Sequence, residues 1–240
     1  MNKTVVTMML AMASLVCVTS CSQEEPEPAP TLDKYQVTVK AGQSTSITYK
    51  GSGACQWSSD EPRIASVNDG VITGVRVGKT KIHANDLVCD VTVTPQYSRY
   101  YEPCTDWGCS KNKVESYMYG YSQKSSSSGN LLYTGTNSVI GYGYQFDDNN
   151  KLEYSYMFIK LSDADYIADF LGERYVYAGQ EGECFIFFSV DHKTFVTLVV
   201  TYQYLGVAYT PYESSTKSCM DLEAAKDLIN AVMAEFIVSE

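Results

Sequence analysis

Histidine is nearly missing from this 240-residue chain, with only His83 and His192 present. That scarcity removes the commonest route to general acid–base work at neutral pH and to imidazole-rich metal centres. His83 falls in a strand-like run and His192 in a hairpin turn, so both read as solvated or structural. No GxSxG, HExxH, phosphate-loop or dinucleotide glycine pattern occurs, so no nucleophile elbow, zinc protease or nucleotide site is announced. Positive charge is also scarce: 18 Lys+Arg stand against 28 Asp+Glu, a net charge of −10. An acidic surface without a basic stripe repels phosphate, which excludes nucleic acid as a partner. There is no CxxC pair, and "CTDWGC" has four residues between its cysteines. That spacing argues against a structural metal, and no cofactor is expected. Past the first 20 residues no apolar run reaches membrane length.

What is present begins with "MNKTVVTMMLAMASLVCVTSC". Lys3 heads an apolar run from Val5 to Val18 that is too short to span a bilayer and reads as a secretory signal, residues 1–20. Val18-Thr19-Ser20 before Cys21 resembles a bacterial lipobox. The resemblance implies acylation of Cys21 and a membrane partner reached through lipid, since several acyl chains hold firmly where one is marginal. Ser22 stands where inner-membrane retention would place Asp, which favours the outer membrane. Gln23, Glu24, Glu25 and Glu27 resemble the acidic export run of some surface lipoproteins, and residues 21–34 read as an extended, Pro-rich linker. Without the signal the chain carries 17 basic and 28 acidic residues, net −11.

Residues 35–95 alternate short Val, Ile and Thr runs with turn residues every eight to twelve positions, as in an all-β sandwich. Gly42, Gly70, Gly74 and Gly78 fall at expected turns, where positive φ costs glycine little. "VKAGQSTSI", "WSSDEPRIASVNDGVITGVRVGKTKIHA" and the closing "VTVTP" resemble the bacterial immunoglobulin-like group 2 domain, the type repeated in invasin and intimin. The resemblance implies a spacer or adhesion module with no catalytic residues. A single copy beside the anchor suits a spacer. The short segment between Thr48 and Trp57 and the cysteines at 55 and 89 depart from the family pattern.

Six cysteines remain after processing, an oxidising-compartment count that permits 15 connectivities. The immunoglobulin-like reading suggests Cys55 with Cys89. Cys104 with Cys109 is sterically easy, and Cys184 with Cys219 is then left over.

Composition changes after Pro95, where 18 of the 20 tyrosines lie. Residues 96–240 read as a tyrosine-rich α+β domain, with an antiparallel sheet and helices packed on one face. Predicted helices follow Ser110, follow Ser162 as N-cap, and close the chain with Leu222, Ala225, Leu228, Ile229, Val232 and Phe236 facing inward. Asp163 and Asp165 suit a helix start, and "DDNN" suits a turn. The order helix–strands, helix–strands, helix hints at two similar halves. "EPCTDWGCS" and "FLGERY" are similar in style to C-terminal domains of bacterial surface lipoproteins, a likeness with no activity attached.

Alternation places Tyr142 and Tyr144 on one strand face, Tyr154 and Tyr156 on one face of the next, and Tyr202 with Tyr204. If open, these rings and Trp107 would make an aromatic platform for a glycan or protein ligand. If covered by helices they are core. The expectation is therefore a non-catalytic envelope lipoprotein whose spacer presents a binding domain. The alternatives are a hydrolase accessory assembled from scattered carboxylates and a purely structural component.

Overall fold

The computed structural model describes residues 27–124, 129–212 and 222–238, without the side chains of 222–225 and 238. The signal segment, Cys21, the serines at 125–128, Cys219 and the side chains of Leu222 and Ala225 lie outside the described residues.

Up to Pro95 the β-branched runs form nine short strands. They are β1 (Thr31–Leu32), β2 (Gln36–Lys40), β3 (Ser44–Ser46), β4 (Tyr49–Lys50), β5 (Trp57–Ser59), β6 (Ala65–Asn68), β7 (Val71–Gly74), β8 (Gly78–Ala84) and β9 (Leu87–Thr94). One sheet has the order β2-β9-β8-β5, a second β3-β7-β6, and β1 pairs with β4. β2 runs parallel to β9, and the other pairs are antiparallel. Period-2 alternation sends Thr80, Ile82 and Ala84 of β8 and Cys89, Val91 and Val93 of β9 inward. Ile82, Ala84, Cys89, Val91 and Val93 meet Ile72 and Ile47 in one core, with Trp57 and Cys55 packed against it. Asp69 (φ 48°) and Gly70 (φ 76°) turn β6 into β7, as an Asp-Gly hairpin signal predicts. A side chain at Gly70 would also stand 2.5 Å from the Ile47 carbonyl oxygen. Gly74 differs from expectation: it ends β7, and its small size serves a close approach, 2.8 Å from a built Cβ to the Lys40 carbonyl oxygen.

The rest of the chain contains α1 (Lys111–Tyr117), β10 (Gln123–Lys124), β11 (Leu131–Thr134), β12 (Val139–Phe146), β13 (Leu152–Lys160), α2 (Ala164–Gly172), β14 (Tyr175–Glu181), β15 (Cys184–Ser189), β16 (Thr194–Val200), β17 (Tyr204–Pro211) and α3 (Leu222–Val238). All eight strands make one antiparallel sheet, ordered β10-β11-β12-β13-β17-β16-β15-β14. Each half is a helix followed by a four-strand meander, and the last strands of the two meanders, β13 and β17, pair at the centre.

The helices do not share one face of this sheet. Val114 and Met118 near α1, and Ile167, Phe170 and Leu171 of α2, pack with Tyr142, Tyr144, Met157 and Val207. Ile229, Val232, Met233 and Phe236 of α3 pack on the opposite side with Tyr156, Phe158 and Ala208. The expectation of helices on a single face is corrected for a physical reason. The central strands are apolar on both faces, and two apolar faces need two covers. α3 lies close because glycines face it. A Cβ at Gly141 would meet Phe236 at 2.3 Å, one at Gly143 would meet Val232 at 2.8 Å, and one at Gly206 would meet Ile229 at 2.5 Å.

The start of α2 is also corrected. A 3₁₀ turn, Leu161–Asp163, precedes it, and Asp163 rather than Ser162 occupies the N-cap, without a side-chain cap bond. Its carboxylate instead accepts from Tyr100 Oη at 2.7 Å and Arg99 Nη1 at 2.9 Å.

Candidate functional site

The predicted aromatic platform is not formed. β12 and β13 pair with Gly143 opposite Tyr156, so Tyr142 and Tyr144 project to the α1/α2 side while Tyr154 and Tyr156 project to the α3 side. Tyr142, Tyr144 and Tyr156 are buried and Tyr154 is half-buried. They are core residues of two different faces. Tyr202 lies in the turn between β16 and β17, 96% exposed, whereas Tyr204 is buried with its hydroxyl on Asn230 Oδ1 at 2.6 Å. Trp107 is half-buried, and its indole N–H donates to Thr194 Oγ1 at 3.1 Å.

A different site appears where two distant segments meet, "EPCTDWGCS" after β9 and "FLGERY" at the end of α2. Tyr175 Oη donates to Glu102 Oε1 at 2.6 Å, and Arg174 Nε stands 3.5 Å from Glu102 Oε2. The Arg174 guanidinium lies 3.8 Å over the Phe170 ring and donates to the carbonyl oxygens of Phe170 and Tyr97, each at 3.0 Å. It also pairs with Glu173. The Glu173 carboxylate accepts the backbone N–H groups of Gln96 at 2.8 Å and Tyr97 at 3.0 Å. The same short run holds the first unit: the Glu173 carbonyl accepts Val77 N–H at 2.7 Å, and the Tyr175 carbonyl accepts Arg76 Nε–H at 3.1 Å. Residues 173–175 thus clasp the connecting segment and the first unit together.

Glu102, Thr105 and Tyr175 line two adjoining clefts. The first, about 580 Å³, is walled by Tyr117, Asp106, Lys113 and Ser116. Lys113 forms an ion pair with Asp106 on its wall. The second, about 500 Å³, follows the seam and includes Glu61, Ser189, Asp191 and Thr194. Tyr117 of the first cleft packs against Tyr101, with ring centroids 5.0 Å apart, and Tyr121 stands 5.7 Å from Tyr101. Tyr101 and Tyr117 are exposed.

Charge in the two clefts is uneven. About a third of the Glu102 side chain (34%) opens to solvent, yet the crowded protein around it pushes its carboxyl above the usual range. Tyr175 and Arg174 oppose that rise only in part. Burial, and then Glu102, hold the Tyr175 hydroxyl well above its ordinary value, so it stays a donor. The Arg63 guanidinium, 2.9 Å from the Glu61 carboxylate, holds Glu61 below the usual range. Burial raises Asp191, but bonds from Ser189 and Lys193 outweigh it and keep it low.

The cysteines fall in different places. The expected Cys55–Cys89 bond is not formed: Cys89 is buried within the first unit's core while Cys55 packs at its edge, and both are thiols, Cys55 near Asp69 and Cys89 near Asp90, Asp33 and Lys34. Cys104 and Cys109, expected as a pair, are also free thiols in the structure, close enough to hydrogen-bond. Cys184 is buried on the α3 side of the sheet, and its expected partner Cys219 lies outside the described residues. His83 Nε2 meets Asp60 Oδ1 at 2.7 Å on the first unit's surface, and His192 stacks on Phe188 at 4.9 Å. Among the described residues no group of three or more His, Cys, Asp or Glu is placed to hold a metal, and no helix is long and apolar enough to cross a membrane.

Neither a scan of protein-family models nor a search of curated proteins finds a match to this chain. Both segments of the site stand out in the sequence, but their meeting does not. Glu102 and Tyr175 are 73 residues apart, and no local pattern encodes such a contact.

Proposed function

We propose that this chain is a cell-envelope lipoprotein, held in the outer membrane through lipid on Cys21, whose first unit is an immunoglobulin-like spacer and whose C-terminal unit binds a glycan without catalysis. Two facing sheets over one core support the spacer reading. The clasp at Glu173–Tyr175 supports a spacer that presents the second unit in a fixed direction. The observation that carries the binding reading is exposed Tyr117, which lines a cleft with carboxylate, ammonium and hydroxyl groups and packs against the exposed ring of Tyr101 beside it. A sugar offers an apolar ring face to stack and hydroxyls for the polar wall. The net charge of −10 favours a neutral sugar over an anionic one.

The test is a glycan and host-protein array with the mature chain, beside Tyr101→Ala/Tyr117→Ala and Tyr177→Ala variants. Wild type and Tyr177→Ala should bind a neutral glycan, and the double variant should lose roughly tenfold or more. Equal binding by all three overturns the cleft reading, and binding only to host protein replaces the glycan with a protein ligand. The anchor is tested separately by mass spectrometry of the native N-terminus, where an unacylated residue 21 ends that part of the proposal.

A second reading, hydrolysis, draws on the unlike carboxylates of the seam cleft: Glu102 held toward its neutral form, Glu61 and Asp191 held ionised. Glycosidases use such a split. Turnover of aryl glycosides that disappears in Glu102→Gln would favour it.

A further inference from the structure

We propose that Cys104 and Cys109 form an intrachain disulfide whose closure fixes the cleft wall, so that the ligand-ready form of the protein is the oxidised one. The consequence for ligand rests on the binding reading above, and the bond itself does not. In the structure both are free thiols of one core cluster, Cys104 buried and Cys109 half-buried, with the two thiols close enough to hydrogen-bond. Both ends of the intervening loop are pinned to β13. Ser155 Oγ donates to the Cys104 carbonyl at 2.6 Å. Gly108 N–H donates to the Leu152 carbonyl at 3.0 Å, and Leu152 N–H donates to that of Cys109 at 2.9 Å. Between these pins lie Thr105 and Asp106, which face the first cleft, and Trp107, whose indole holds Thr194 of the second. A covalent bridge across the loop therefore sets one wall of each cleft.

The chemistry balances with a donor disulfide from a thiol oxidase or a small-molecule disulfide. The half-buried Cys109, as thiolate, attacks one donor sulfur and expels the first thiolate. Cys104 loses its proton and attacks the Cys109 sulfur, expelling the second. Two protein thiols become one disulfide, the donor takes up two electrons and two protons, and no other reactant is consumed. Burial first, then the neighbouring Cys104, pushes the Cys109 thiol up to about 11. Oxidation that starts from Cys109 is then slow without a catalyst, and a reductant that must expel Cys109 from the finished bridge meets a poor leaving group.

One tryptic peptide, Tyr100–Lys111, contains both cysteines and no other. Mature protein secreted into an oxidising compartment is denatured, alkylated without reduction and digested. The expected peptide is unalkylated and about 2 Da lighter than the reduced form. A doubly alkylated peptide, or one joined to another cysteine peptide, overturns the proposal. Hydrogen exchange supplies the second measurement. Reduction of wild type should speed exchange at Asp106–Gly108 roughly tenfold while β13 is unchanged, and Cys104→Ser/Cys109→Ser should match the reduced protein. Identical exchange in oxidised and reduced protein overturns the role assigned to the bond. If the bridge forms and exchange responds but no array sugar binds in either state, the glycan reading fails and the bridge stands.

Discussion

Removing the Glu173 carboxylate is the sharpest perturbation of the clasp between the two units. Glu173 is 7% exposed. Its carboxylate accepts the Gln96 and Tyr97 amides at 2.8 and 3.0 Å and pairs with Arg174. Glu173→Ala leaves two connecting-segment amides without their acceptor. It leaves Arg174 with Glu102 at 3.5 Å and the carbonyls of Phe170 and Tyr97. Hydrogen bonds to a charged group contribute about 1.5–3 kcal/mol each, and breaking a buried pair costs about 3–5 kcal/mol. Arg174 keeps other partners, so the lower part of that range, about 3–4 kcal/mol, is expected. For a domain of this size that corresponds to a fall in Tm of roughly 6–16 °C. Glu173→Gln retains one acceptor oxygen but turns an amide N–H₂ toward the guanidinium, and should lose about half as much. Exposed Glu181→Gln should stay within about 0.5 kcal/mol of wild type. Calorimetry should resolve one transition in wild type and two in Glu173→Ala, because the carboxylate couples the connecting segment to α2. A single transition and a loss under about 1 kcal/mol in Glu173→Ala would refute the clasp.

The glycines facing α3 give a test of opposite outcomes. Gly206→Val presses on Ile229 and should lose about 1–3 kcal/mol with faster exchange across α3, whereas Gly172→Ala, which meets nothing within 4 Å, should gain about 0.5 kcal/mol. Asp163 is held below its ordinary value first by Tyr100, then by Ser138 and Arg99. Its contribution is therefore present above the unfolded carboxyl pKa of about 4 and lost as pH falls through the lower folded value, so Asp163→Asn should cost stability in urea at pH 7 and much less at pH 2. Glu102 carries the opposite sign, because burial raises its folded pKa. The advantage of wild type over Glu102→Gln should shrink as pH rises from the ordinary carboxylate range through the raised folded value; an advantage that instead grows with pH would show that Tyr175 and Arg174 outweigh burial.

Local signals were legible in the sequence, and pairwise ones were not. The Asp69-Gly70 turn, the alternation in β8 and β9, and the 3-4 spacing of Ile229, Val232 and Phe236 each depend on residues within a few positions, and each is found as read. Alternation also correctly grouped Tyr142 with Tyr144 and Tyr154 with Tyr156. It could not say whether the two groups share a side of the sheet, because that depends on the register of β12 against β13. With Gly143 opposite Tyr156 the groups point apart, and a one-residue slip would have put them together. A clue lay in the glycines: Gly141 and Gly143 alternate with the tyrosines, and a glycine row beside large rings leaves room for a closely packed helix. The same physics explains why Glu102 gave no signal. A carboxylate in "EPCTDWGCS" looks solvated until the chain returns 73 residues later with Tyr175 and Arg174. Its perturbed acidity is a property of that return, not of the segment that contains it.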